Sequence, residues 1–245
     1  MSRTPSFSVI VVCRNPGPQL RSAIASLWSQ REVIPDIVVI DGNSNDGTRE
    51  WLETHRSRFG TLISEPDRGI YHAMNKGIAR AAGDWVLFLG ADDRLADESV
   101  LASVRGKAAG TSSGVLAGLA TYEDGRVYRY SRHAHPLARN FAHHQATFYR
   151  RSLFDEHGSY DESLRIAGDY DLNLRFWRRG VSFEPIPVQV ATCSVGGVSD
   201  SGGWRCYGEE IVVRHRYAPA WQCLRWDVFS VVRWTRKQLV RARRS

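Results

Sequence analysis

Two adjacent carboxylates, Asp92 and Asp93, follow the apolar run 85–89 and the small pair Gly90-Ala91. Hard oxygen donors suit Mg2+ or Mn2+, an ion usually held by one or two carboxylates together with substrate phosphates. The small residues would let a diphosphate approach the backbone. The competing reading is a solvated helix start, where Asp is common. A second acidic position, Asp41, closes the apolar run 37–40 and opens Gly42-Asn43-Ser44-Asn45-Asp46-Gly47-Thr48. Its carboxylate could accept hydrogen bonds from a nucleobase or ribose, whereas Asp46 fits an Asx-type turn.

A third stretch, Glu65-Pro66-Asp67-Arg68-Gly69, leads into a helix that carries Asn75. Helix N-termini favour phosphate and an arginine adds charge, so Asp67, Arg68 and Asn75 are candidates to face a phosphorylated ligand. Each taken singly also fits an ordinary polar loop. The fourth stretch runs from His143-His144-Gln145 to Gly168-Asp169-Tyr170-Asp171. A carboxylate near a helix start is suited to general-base work on a hydroxyl, and Asp171 could instead pair with Arg175 at i+4. His144, Gln145 and Asp171 are possible acceptor-side residues. Adjacent histidines seldom point the same way, which favours packing and hydrogen-bonding roles for His143 and His144 over metal ligation.

These positions need a scaffold of strands that end on one edge. Apolar, β-branched runs at 7–12, 37–40 and 85–89 alternate with helical stretches at 20–30, 48–55 and 71–82, the pattern of βαβ units and a parallel sheet. Beyond Asp93 the spacing predicts a hairpin turning at Glu123-Asp124-Gly125 and a helix over 169–179 closed by Gly180. Segment 181–190, interrupted by Pro185 and Pro187, is expected to be an extended edge. The strand-end loops carry neither a GxGxxG nor a Walker A element, which lowers dinucleotide and P-loop readings.

The 245 residues, 42% hydrophobic with eight Trp, suffice for one α/β core with an appendage. Four Cys without CxxC spacing suggest neither a zinc site nor a disulfide framework, and reduced thiols fit the cytoplasm. Nowhere do eighteen apolar residues run together, so no membrane-spanning helix is expected. The net charge of +7 is concentrated in the tail, where 221–245 holds seven Arg or Lys against one Asp. A nucleic-acid binder more often spreads basic residues over its folded body, so no nucleic-acid partner is expected. Trp and Arg interleaved in one helix suit the interface of an anionic membrane; the alternative is a helix packed on the body with a solvated basic end.

Taken in order, VVIDGNSNDGTREWL, SEPDRGIYHAMNKGIARAAGDWVLFLGADD and HHQATFYRRSLFDEHGSYDESLRIAGDYDLNLRF, with VGGVS as a weaker trailing match, resemble glycosyltransferase family 2 over residues 7–199. The resemblance implies a GT-A fold: a nucleotide-sugar-binding, mainly parallel mixed sheet flanked by helices. The expected catalytic domain is 1–218, with a nucleotide-sugar half to about 95 and an acceptor half from 96, and 219–245 is a basic amphipathic helical segment. It also implies an inverting transfer from a nucleoside-diphosphate sugar to an acceptor hydroxyl. Asp41 matches the nucleobase-contacting aspartate, Asp92 and Asp93 the DXD-type motif with Asp93 on a Mn2+ or Mg2+ ion, and Asp169 the catalytic base. The family often has Asp where this chain has His72, and Glu-Asp where it has Gly168-Asp169. Many relatives build surface polysaccharides, which points to a lipid-linked saccharide acceptor and to peripheral attachment on the cytoplasmic membrane face. The rival readings are an inactive nucleotide-sugar-binding protein and, less well matched, a nucleotidyltransferase.

Overall fold

Alternate residues of one strand feed two different cores. The computed structural model describes residues 4–131, 133, 135–196 and 203–242; Gly197, Val198 and Ser199 of the VGGVS stretch lie outside the described residues. In chain order the first half is β1 (Phe7–Cys13), α1 (Gln19–Trp28), β2 (Asp36–Asp41), α2 (Thr48–Thr54), β3 (Thr61–Ser64), α3 (Ile70–Ile78) and β4 (Trp85–Gly90). The second half is β5 (Arg94–Leu95), α4 (Val100–Ala108), β6 (Val115–Tyr122), β7 (Val127–Arg129), β8 (Thr147–Arg150), α5 (Ser152–His157), α6 (Gly168–Arg178) and β9 (Phe183–Cys193), followed by α7 (Trp204–Tyr217) and α8 (Ala220–Ala242). Val9 and Val11 of β1 pack with Leu20, Ile24, Leu52 and Val104 from α1, α2 and α4. Ile10, between them, packs on the other face with Met74, Phe154, Leu174 and Val213 from α3, α5, α6 and α7. A strand buried on both faces has apolar residues on both, which is why 9–12 reads as an unbroken run, and the buried Ser8 before it spends its hydroxyl on Asp36.

The sheet order is β3-β2-β1-β4-β8-β6-β9-β5, with β7 added to β6. Pairs among β1 to β4 are parallel, as is β6 with β9, whereas β8 runs antiparallel to both β4 and β6. The register sets Cys13 beside Asp41, Asp41 beside Ser64, and Val12 beside Gly90. All the acidic stretches of the first half therefore leave from the carboxyl edge of the parallel strands, where open α/β sheets bind ligands.

The hairpin forms as expected, with Gly125 at φ +84° in its turn. The third helix stops at Ile78, four residues short of expectation. Segment 181–190 is part of a longer strand: β9 continues to Cys193, and its register with β6 shifts after Pro185, so the prolines are absorbed in a bulge. Its first part pairs only with β6, and the two-residue β5 covers Thr192 and Ala191.

The tail is a helix docked on α7. Cys223 and Ser230 are fully buried, Arg214 of α7 pairs with Asp227 and donates to Ser230 Oγ at 3.0 Å, and Arg233 meets Glu210 at 3.0 Å. On its outer side Trp221, Leu224 and Val228 are 77%, 65% and 55% exposed, so an apolar stripe faces outward. Among the described residues no helix is long and apolar enough to cross a membrane.

Candidate active site

After β4 the chain turns so that the Asp93 N–H donates to Gly90 O at 3.1 Å. A Cβ at Gly90 would lie 2.3 Å from Asp93 Oδ2 and 3.1 Å from Asp92 Oδ1, so the missing side chain is the space the paired carboxylates use. Asp93 is buried and Asp92 exposed. Asp93 Oδ1 accepts from the Ser194 N–H at 2.9 Å, Oδ2 accepts from Gln145 Nε2 at 2.5 Å, and Ser194 Oγ donates to Asp92 O at 2.6 Å. Burial pushes the Asp93 carboxyl above the usual range and the neighbouring Asp92 charge adds to this, while the Ser194 and Gln145 donors oppose it. A buried, acid-flanked carboxylate is one whose ionised form gains from a nearby cation. Among the described residues no three His, Cys, Asp or Glu gather as a metal cage. The oxygen donors of Asp93 and Asp92 fit Mg2+ or Mn2+, completed by substrate phosphates.

The 310 turn His144–Ala146 links this centre to a second one. Gln145 reaches Asp93, while His144 Nδ1 lies 3.4 Å from Asp169 Oδ2. The His143 and His144 rings do not diverge as expected but stack at 5.7 Å with an interplanar angle of 5°. His143 Nε2 bonds the Tyr122 hydroxyl at 2.6 Å, and burial, helped by His144, pushes its pKa down to about 3. It is therefore a neutral prop beneath His144.

Asp169 sits in the first turn of α6, where Oδ2 accepts from Asn140 Nδ2 at 2.7 Å and Oδ1 from the Tyr170 N–H at 2.9 Å. Its side chain is 22% exposed, open enough to meet a ligand. Asp171 stands elsewhere. Residues two apart on a helix do not face each other, and Asp171 turns to α7. There it is 2% exposed and accepts from the Tyr217 hydroxyl at 3.0 Å and Arg216 Nη1 at 3.3 Å, with Arg175 Nη2 at 3.7 Å. The structure thus gives Asp171 a packing role in place of the expected acceptor-side one.

At the end of β2 Asp41 is fully buried, its carboxylate taken up by the Ser44 N–H and hydroxyl and by Ser64 Oγ at 2.6 Å. Asp67 lies against the same loop, since a Cβ at Gly42 would be 3.1 Å from its Oδ2. Lys76 Nζ at 2.7 Å holds Asp67, and His72 Nδ1, which accepts from the Arg68 N–H at 3.2 Å, lies 3.3 Å from the same carboxylate. Arg68 pairs instead with Glu162 at 2.6 Å. The Asn75 amide is spent on the Tyr160 backbone, at 3.0 and 2.9 Å, and on Glu162. Asp41 and Asp67 are thus brought together, while Arg68 and Asn75 are joined through Glu162 to the loop before α6.

Sequence reasoning missed four residues that shape the two centres: Asn140, Ser194, Tyr71 and Glu209. Ser194 and Asn140 are single polar residues in loops, with no periodicity to mark them. Tyr71 was read only as the first residue of an expected helix. Glu209 belongs to α7, a helix the reading did not mark.

A three-layer α/β/α fold with a buried DXD-type acidic centre at the carboxyl edge of its parallel strands is that of a GT-A glycosyltransferase. The "Glycosyl transferase family 2" profile matches residues 8–171, and the chain belongs to that family. It is 32% identical over 180 residues to a "PGL/p-HBAD biosynthesis glycosyltransferase" of Mycobacterium tuberculosis, covering 70% of this chain and 69% of that one. It is 28% identical over 194 residues to "Succinoglycan biosynthesis protein ExoO" of Rhizobium meliloti, covering 70% of this chain and 56% of that one. Among solved structures, S. aureus TarS 1–349 in complex with UDP-GlcNAc superposes with a TM-score of 0.71 at 18% identity, over 85% of this chain and 65% of that one. The mannosyltransferase PcManGT from Pyrobaculum calidifontis, in complex with GDP-Man and Mn2+, superposes with a TM-score of 0.67 at 20% identity, over 94% of this chain and 70% of that one.

Proposed function

We propose that this glycosyltransferase moves a sugar, with inversion, from a nucleoside-diphosphate sugar to a hydroxyl of a lipid-linked saccharide or glycolipid at the cytoplasmic face of the membrane. The observation that carries the reading is the turn bearing His144 and Gln145, which touches Asp169 with one residue and Asp93 with the next. Inversion needs a base on the acceptor side and a leaving-group site on the donor side of one sugar, and two carboxylates linked by one short turn are consistent with that division. Asp169 takes the acceptor proton as the hydroxyl attacks the anomeric carbon, with Asn140 and His144 holding its Oδ2 in place. A divalent cation on Asp93 and Asp92 would supply charge neutralisation to the departing nucleoside diphosphate. Asp41 and Asp67 line the nucleoside side, and Gln145 orients Asp93.

Relatives named for PGL/p-HBAD and succinoglycan biosynthesis support the acceptor class. The outward apolar stripe of α8, beside the exposed Arg225 and Arg236, supports contact with an anionic leaflet. The test is a thermal-shift panel of nucleotide sugars with Mn2+, followed by transfer with the stabilising donor. A specific donor raises the melting temperature by mass action, and transfer releases nucleoside diphosphate and yields the opposite anomer. Stabilisation without nucleoside-diphosphate release, or a retained anomeric configuration, sinks the reading.

A further inference from the structure

The turn that presents Asp169 is held by a carboxylate from a helix some forty residues further on. Glu209 Oε2 accepts the N–H groups of Arg165, Ile166 and Ala167 at 3.1, 2.8 and 3.0 Å, and Oε1 also lies 3.2 Å from the Arg165 N–H. The first helical bond of α6 runs from the Asp171 N–H to Ala167 O, so these three donors have no partner inside the helix. Glu209 takes all three, with charge-assisted bonds that are stronger than neutral ones.

The other side of the turn is closed by Tyr71. Its hydroxyl donates to Ile166 O at 2.6 Å and accepts from the Gly168 N–H at 2.8 Å. A Cβ on Gly168 would lie 2.5–2.7 Å from ring atoms of Tyr71, so the position before Asp169 has no room for an acidic side chain of its own. The acid comes from α7 instead, and Arg205 at 3.7 Å accompanies it.

We infer that Glu209 is a positioning residue for Asp169, which fixes the first turn of α6 so that the Asp169 carboxylate faces Asn140 and His144. It touches neither donor nor acceptor. The inference rests on Asp169 being the base.

The test uses the full chain with Glu209→Gln and Glu209→Ala, measuring kcat, KM for donor and acceptor, donor affinity with Mn2+, and melting temperature. Displacement of a reacting group by about 1 Å costs about 100-fold in rate, so Glu209→Ala is expected to lose about 100-fold in kcat. Glu209→Gln, which keeps shape and one acceptor oxygen but loses charge, is expected to lose about 10-fold. Donor affinity falls by much less than kcat in both, because Asp41, Asp67 and Asp93 do not bond to this turn, which meets the loop after β3 through Arg165 Nη1 and Arg68 O at 3.0 Å. A plain helix cap would lower melting temperature and leave kcat per folded molecule unchanged; that result, or loss of donor binding in step with kcat, overturns the inference. Should the Ala variant not fold, the Gln variant decides. Asp169→Asn is run in parallel: if it turns over at the wild-type rate, the base reading fails, whereas an inactive Asp169→Asn beside fully active Glu209 variants overturns the clamp alone.

Discussion

Gln145 donates from Nε2 to Asp93 Oδ2 at 2.5 Å, from a turn whose preceding residue lies against Asp169. One backbone segment therefore sets the orientation of the proposed metal carboxylate and the proposed base together. Partners that orient a metal ligand are commonly worth 10–100-fold in metal affinity or activity. Gln145→Ala is expected to raise the Mn2+ concentration for half-maximal transfer about 10-fold, while Asp93→Asn abolishes Mn2+-dependent transfer. Titration of transfer and of thermal stabilisation with Mn2+ checks both. An unchanged Mn2+ midpoint in Gln145→Ala would show that this contact does not orient the site.

Asp169 and Asp171 differ by environment, and the difference separates their variants. Asp169→Asn keeps its bulk, and is expected to lose about 100-fold or more in kcat with donor binding spared. Asp171→Ala leaves Arg216, Tyr217 and Arg175 facing a vacated buried position. Arg216 is 37% exposed and keeps Asp161 at 2.6 Å, so the loss falls below that of a fully buried pair, at about 1–2 kcal/mol or roughly 2–8 °C in melting temperature for a chain of this size, with turnover per folded molecule kept. Single-turnover assays normalised to folded protein tell the two apart; the reverse pattern would make Asp171 the base.

Much of this was legible in the sequence because it lies in strong local patterns. Buried strands at 9–12, 37–40 and 85–89 announce themselves by continuous apolar residues, and the last two end at acidic loops. Asp41, Asp93 and Asp169 stand at those ends or at a helix start, which the alternation marks, while the family resemblance chose them among their acidic neighbours. Long-range contacts left no such trace. The 2.6 Å pair of Arg68 and Glu162 joins residues 94 apart, and Glu209 serves amides more than 40 residues away. Gly168 illustrates the same limit: its departure from the family pattern was visible, but its cause, the Tyr71 ring, was not.

His143 carries a pH signature. Its ring, placed against Tyr122 and Tyr128, is held down to about 3 by burial, against an ordinary value of 6.5. Between those values the unfolded chain takes up a proton that the native ring refuses, so the contribution to stability is whole above pH 6.5 and is lost progressively as pH falls toward 3. His143→Gln, which cannot titrate, is expected to show a shallower loss of urea midpoint over that window than wild type. Parallel pH profiles for the two proteins would remove His143 as a source of acid sensitivity.

Membrane attachment calls for point variants on α8 and not for its removal, because the inner side of the helix belongs to the fold. Cys223 and Ser230 are fully buried, and Asp227 and Arg233 pair with Arg214 and Glu210 of α7. Cutting the chain before α8 would strip partners from Arg214, which is itself fully buried, and would confuse unfolding with detachment. Trp221, Leu224 and Val228 are more than half exposed and touch none of these pairs, so the triple change to Glu should leave the body intact. Each basic residue near an anionic leaflet is worth about 1 kcal/mol, and salt weakens that share. Wild type is expected to sediment with phosphatidylserine-containing vesicles at low salt and less so at high salt. The triple variant should stay in the supernatant with unchanged transfer to a water-soluble acceptor. Equal sedimentation of the two proteins would assign attachment to another surface.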